Sequence, residues 1–108
     1  MDSHALMKRI IPYVRGKQVV LGKERMEQLV RQHEAGLVWL MSDLAKNTAK
    51  KAIVKCLERD VPCIWTGNSV ELEEAIGRPN VKVVTLRKSF SGIKHIVEQL
   101  EENDLIYH

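Results

Sequence analysis

This sequence predicts an α/β fold, a three-layer α/β/α sandwich around a small four-stranded mixed sheet, on three observations. Leu37-Val38-Trp39-Leu40-Met41 is an unbroken apolar run, and a run without a polar face reads as a strand covered by helices on both sides. Several flanking segments carry apolar residues at three- and four-residue intervals, the spacing of one helical face. The elements alternate as α-β-α-β-α-β-α-β-α, so helices return across both faces of one sheet. At 108 residues the chain is expected to form one domain, 1–108, that buries roughly 65% of its unfolded surface and needs no covalent staple.

Leu6, Met7, Ile10, Ile11 and Val14 predict a first helix over 3–11, which Pro12 ends. Arg15-Gly16-Lys17 is a turn, 18–21 a short strand, and Gly22 opens a second helix with a buried stripe of Met26, Leu29, Val30 and His33. His33, on that stripe, is expected to be a hydrogen-bonded core residue. Glu34-Ala35-Gly36 should close the helix, with Gly36 in the left-handed terminal conformation. The central strand follows over 37–41. Its carboxyl end delivers Ser42 and Asp43 to the sheet edge, where α/β proteins place their ligands, and one of the two is expected to cap the next helix.

That helix, 47–58, turns Ala49, Ala52, Ile53, Cys56 and Leu57 inward and sets Lys46, Lys50, Lys51, Lys55 and Arg59 outward. Like charges four residues apart cost a few tenths of a kcal/mol per pair, small enough to tolerate but a pointer to an anionic partner. Asp60-Val61-Pro62 turns into a strand at Cys63-Ile64-Trp65, and Asn68-Ser69-Val70-Glu71 has capping-box spacing for a fourth helix that Gly77 ends. After Arg78-Pro79-Asn80 come a strand over 81–86 and a last helix marked by Ile93, Ile96, Val97 and Leu100. The tail Leu105-Ile106-Tyr107 is apolar and should fold back on the core or dock onto a second copy.

Composition excludes several classes. The apolar fraction is 44% and the charged fraction 29%, ordinary for a soluble domain. No apolar run approaches the ~20 residues of a membrane span, and the acidic start Met1-Asp2-Ser3-His4 does not read as a signal peptide. Cys56 and Cys63 form no Cys-x-x-Cys pair and are expected to be reduced core residues of a cytoplasmic protein. His4, His33, His95 and His108 have no second ligand at metal spacing, so neither metal nor cofactor is expected. Asp43 invites a phosphoryl-acceptor reading, but the chain lacks an acidic pair after its first strand and a partner lysine after a buried strand. No catalytic residue is assigned, and the chain is expected to be non-enzymatic. The net charge of +3 and pI near 9.0 permit a polyanionic partner. At Gly22-Lys23-Glu24-Arg25 a glycine before a helix start lets phosphate approach free amides, with Lys23 and Arg25 as counter-charges and Glu24 able to accept from a base edge.

Taken together, Arg15-Gly16-Lys17, Gly22-Lys23-Glu24, Leu37-Val38-Trp39-Leu40-Met41-Ser42-Asp43, Asn47-Thr48-Ala49-Lys50-Lys51, Val61-Pro62 and Glu71-Leu72-Glu73-Glu74-Ala75-Ile76-Gly77 resemble the ribosomal protein family L-seven-Ae/L-thirty-e, and in particular its small bacterial YlxQ-like branch. The resemblance implies an α/β/α sandwich and non-enzymatic binding of structured RNA, such as the kink-turn elements its members recognise, with ribosome association. In kink-turn binders the RNA meets the second helix start through Gly-x-Asn/Lys-Glu/Gln-x-x-Lys, and an apolar loop before the last strand. Gly22 matches; Glu24, Arg25 and Gln28 stand at the Asn/Lys, Glu/Gln and Lys positions, and the loop is polar. The implied contacts are Gly22, Lys23, Glu24, Arg25 and Gln28, with Arg78, Asn80, Val81 and Lys82 from the loop and Lys46 and Lys50 on phosphates. These segments must then meet at one end of the sheet. The departures motivate a second reading, a protein-interaction or homodimerisation module on the same fold.

Overall fold

The computed structural model describes residues 2–107. In chain order these form α1 (Ser3–Ile10), a 3-10 turn (Ile11–Tyr13), β1 (Val19–Leu21), α2 (Lys23–Arg31), β2 (Ala35–Leu40), α3 (Lys46–Glu58), β3 (Cys63–Trp65), α4 (Ser69–Ile76), β4 (Val83–Arg87) and α5 (Ile93–Glu102). The sheet order is β1-β4-β2-β3. β2 and β3 run parallel, whereas β4 is antiparallel to both β1 and β2.

Alternation along β2 builds the three layers. Leu37, Trp39 and Met41 join a core with Leu6 and Ile10 of α1, Leu72 of α4 and Leu100 of α5. Val38 and Leu40 face the other way, against Met26 and Leu29 of α2 and Ala49, Ala52 and Cys56 of α3. Trp39 is completely buried, and its indole N–H donates to the Thr66 carbonyl at 2.8 Å, satisfying the ring's one polar group where water is absent. Trp65 does the same at the carboxyl end of the sheet, donating to the Met41 carbonyl at 2.9 Å.

Local chemistry sets the helix limits. The Asp2 carboxylate accepts from the Ala5 amide at 2.8 Å and caps α1. Pro12 ends that helix in a 3-10 turn rather than a sharp break. Asn68 caps α4 through the Val70 and Glu71 amides, and Gly77 closes it in the left-handed conformation. The reciprocal half of the capping box is not formed, because the Glu71 carboxylate meets His4 Nδ1 at 2.6 Å instead.

Several expectations are corrected. β2 starts at Ala35, two residues early, so Gly36 lies inside the strand at a register shift opposite β4. The left-handed residue after α2 is His33, with φ 58°, and His33 is exposed rather than part of the buried stripe. Gly36 is small for another reason: a Cβ there would sit 3.0 Å from Ile93 Cγ1, 3.1 Å from the Arg87 carbonyl oxygen and 3.1 Å from Lys88 Cα. Leu57 is 39% exposed, α3 begins at Lys46, and β4 is shifted to Val83–Arg87. The N-cap of α3 is Ala45, without a side-chain bond. Ser42 Oγ donates to the Gly67 carbonyl, and Asp43 accepts from Ser69 Oγ, so both brace the start of α4 and neither caps α3.

The tail folds back. Ile106 is buried, and the Tyr107 amide donates to the Cys63 carbonyl at 2.9 Å, an isolated antiparallel bridge to the first residue of β3. Cys56 and Cys63 are free and fully buried; the neighbouring Cys56 and burial push the Cys63 thiol far above its ordinary value, which holds it protonated and unreactive.

Gly36→Ala should destabilise the fold by about 1–3 kcal/mol, because two of the three atoms it meets are backbone and cannot swing aside. A urea midpoint indistinguishable from wild type would show that the strand has slack at this position.

Candidate nucleic-acid interface

The strand register defines the site. Leu21 pairs with Val84, Leu40 with Val83, and Leu40 with Trp65, so the carboxyl ends of β1, β2 and β3 and the start of β4 share one pole. Helices α2, α3 and α4 all begin there, which aligns three positive dipole ends toward the same solvent. The N-caps of α2 and α3 make no side-chain hydrogen bond, leaving first-turn amides available to an anion. At the α2 start, Gly22 has φ 103° and donates to the Val83 carbonyl at 2.9 Å, stitching the helix entry to β4. No atom lies within 4 Å of where its Cβ would be. The backbone angle demands glycine, while the space beside it is open to a ligand.

Lys23, Glu24 and Arg25 occupy the exposed first turn of α2, and Gln28 is exposed one turn later. Arg25 and Arg78 share a cleft of about 290 Å³, and Arg15 and Lys17 line it too. Lys46 is exposed at the start of α3, while Lys50 sits one turn further from the pole. The second-helix start, the Ser42-Asp43 turn and the 78–82 loop thus emerge together at the same pole.

Two loop residues behave differently from expectation. Val81 is 7% exposed and its amide donates to Glu73 Oε1 at 3.2 Å, so its side chain anchors the loop in the core and presents no apolar surface. Lys82 Nζ lies 3.6 Å from Asp43 Oδ2, which offsets part of its charge. Asn80 is exposed, with φ 59°. Asp43 itself is held below the usual carboxylate range, chiefly by the 2.5 Å hydrogen bond from Ser69 Oγ and further by Lys82. Its oxygens serve a brace between β2 and α4.

The opposite pole has a larger cavity of about 500 Å³, but Arg59, Lys88 and Lys94 there face Asp60, Glu98 and Glu101. Mixed charge makes it a poor phosphate site, whereas the cleft at the pole of the helix starts is lined by Arg15, Lys17, Arg25 and Arg78 with no carboxylate among its described lining residues. The sequence reading treated Arg15 and Lys17 as a turn and missed their place in the cleft. The available signal was a three-residue strand with basic residues before it and after it, a pattern that fits an edge position. Among the described residues no group of three or more His, Cys, Asp or Glu side chains is placed to hold a metal, and no helix is long and apolar enough to cross a membrane.

Compared with known proteins, residues 5–102 match the ribosomal protein L7Ae/L30e/S12e/Gadd45 family. The chain belongs to this family. An RNA-binding protein YlxQ from Enterococcus faecium is 29% identical over 66 residues, 61% of this chain and 64% of the relative, so the match spans less than two thirds of that protein's length. A protein of unknown function from Bacillus halodurans C superposes with a TM-score of 0.72 at 26% identity, covering 91% of this chain and 94% of the other. A 15.5 kD RNA-binding protein of Giardia lamblia shares the fold, with a TM-score of 0.76 at 19% identity over 93% of this chain and 88% of its own.

Ser69→Ala should raise the Asp43 pKa toward its ordinary value, readable as a carboxyl carbon titration by NMR. Because the folded-state pKa is depressed, the stabilisation from ionised Asp43 is present above the unfolded pKa and is lost as pH falls through the folded one. The variant should therefore lose less stability on acidification than wild type; equal acid sensitivity would mean that the hydroxyl is not the cause.

Proposed function

We propose that this protein is a non-enzymatic RNA-binding domain, acting as a single unit over 1–108, whose ligand is structured RNA gripped mainly through its phosphates. The observation that carries the reading is the convergence of three helix starts with exposed Lys23, Arg25, Lys46 and Arg78 at one pole. Phosphate contacts position an RNA and supply most of its salt-dependent affinity. The RNA-binding name of the YlxQ relative supports the same ligand class.

Contacts by Gly22, Lys23, Arg25 and Arg78 form the centre of the footprint, with Lys46, Lys50, Asn80 and Lys82 at its margin. Glu24 is exposed and placed to accept a hydrogen bond from a base edge, while Gln28 adds a neutral donor. With Val81 turned inward, recognition of a kink-turn would have to come from backbone shape rather than an apolar loop. Ribosomal RNA is the abundant candidate, and the two buried reduced thiols fit a cytoplasmic site of action. The interaction-module reading rests on exposed Val54, Leu57 and Tyr107; a gel-filtration volume that shifts when exposed Val54 and Leu57 are replaced by Ser would favour it.

Lys23→Gln with Arg25→Gln should lower affinity for fragmented ribosomal RNA and flatten the plot of log affinity against log salt by about two, roughly one for each phosphate contact removed. An unchanged slope would remove α2 from the interface.

A further inference from the structure

β1 lies at the edge of the sheet and pairs only with β4. The Gly22 amide donates to the Val83 carbonyl and the Arg87 amide to the Gln18 carbonyl, which marks Gln18 and Gly22 as residues whose backbone turns toward β4. Antiparallel pairing alternates, so the residues between, Val19 and Leu21, turn both their amide N–H and their carbonyl away from β4, toward the cleft that they line with Arg15, Lys17, Arg25 and Arg78, whose cations offset the two carbonyl dipoles. No carboxylate is among the residues lining this cleft in the described chain. The cleft begins beside the α2 start, at Arg25 and Arg78, and runs past the three residues of β1 to Lys17 at the strand's other end.

We propose that this cleft is a track for the phosphodiester backbone of a single RNA strand that leaves the pole and follows the outer edge of β1. The inference rests on the RNA-binding reading and extends it to Arg15 and Lys17. Two outward amides on one strand are spaced by two residues, about 6.7 Å, a span suited to successive phosphates of an extended strand. Four cations walling a strand edge favour a polyanion over a peptide, which would pair with the same amides without needing the charges. Lys17 is held in place for this role: its carbonyl accepts from Arg87 Nε at 2.7 Å, so its side chain leaves the turn from a fixed backbone.

The test uses the 108-residue chain with Arg15→Gln and Lys17→Gln, titrated by anisotropy against a labelled oligouridylate, with wild type, the α2 double variant and an Arg15→Lys, Lys17→Arg control alongside. Amide spectra of each variant establish that it is folded. The track predicts that losing Arg15 and Lys17 lowers the salt slope by about 1.4, two contacts at roughly 0.7 each for a single strand, that the charge-keeping control retains it, and that oligouridylate shifts the Val19 and Leu21 amide resonances. A wild-type slope in the Gln variant, with a reduced one in the α2 variant, would overturn the track while leaving RNA binding at the pole intact. Failure of wild type to bind either oligouridylate or ribosomal RNA would overturn both. Amide shifts produced as strongly by polyglutamate as by oligouridylate would make the edge a docking strand for an acidic peptide and overturn the phosphate assignment.

Discussion

β2 is buried on both faces, and that single constraint arranges the rest of the molecule. A strand without a solvated face cannot carry functional side chains along its length, so polar residues emerge only where it ends. Trp39 and Trp65 hold those ends by donating to the Thr66 and Met41 carbonyls, which ties the exits of β2 and β3 to each other. The Ser42 hydroxyl bonded to Gly67, and Asp43 bonded to Ser69, extend the same stitching to the start of α4. The exits of β2 and β3 and the start of α4 are thus joined into one bonded unit at this pole.

Electrostatic asymmetry follows from topology more than from net charge. A surplus of three positive charges over 108 residues would be unremarkable if spread evenly. Parallel placement of α2, α3 and α4 instead points three dipoles at one end, where Lys23, Arg25, Lys46 and Arg78 are exposed. At the other end Arg87 pairs with Glu34 at 2.8 Å, and Arg59, Lys88 and Lys94 share the lining of the larger cavity with Asp60, Glu98 and Glu101. The same fold thus carries a stitched, charge-balanced base and an open cationic crown.

Legibility in the sequence tracked the length of the pattern behind each element. The Leu37-to-Met41 run and the Asn68 cap were readable because apolar continuity and a capping oxygen act locally. Gly36 and His33 were misread because the deciding facts are tertiary: α5 and β4 crowd Gly36, and a left-handed turn takes His33 off its stripe. Ser42 and Asp43 looked like caps for the helix that follows them, but their partners lie more than twenty residues away on the β3 to α4 connection. Of the cations exposed at the pole, Lys23, Arg25 and Arg78 could be named from charge beside turns and glycine. Arg15 and Lys17 could not be placed in the cleft without the strand order that makes β1 an edge, and Val81 gave no sign that Glu73 would pin it inward.

The central claim is that RNA engages the pole from which the helices start. Ultraviolet crosslinking of the wild-type protein to ribosomal RNA, followed by mass spectrometry of the nucleotide-bearing peptides, reads that location directly. The account predicts adducts on peptides containing Gly22 to Arg25 and on the 78–82 loop. Adducts confined to α5 and to residues 59–62, around the charge-balanced cavity, would contradict it.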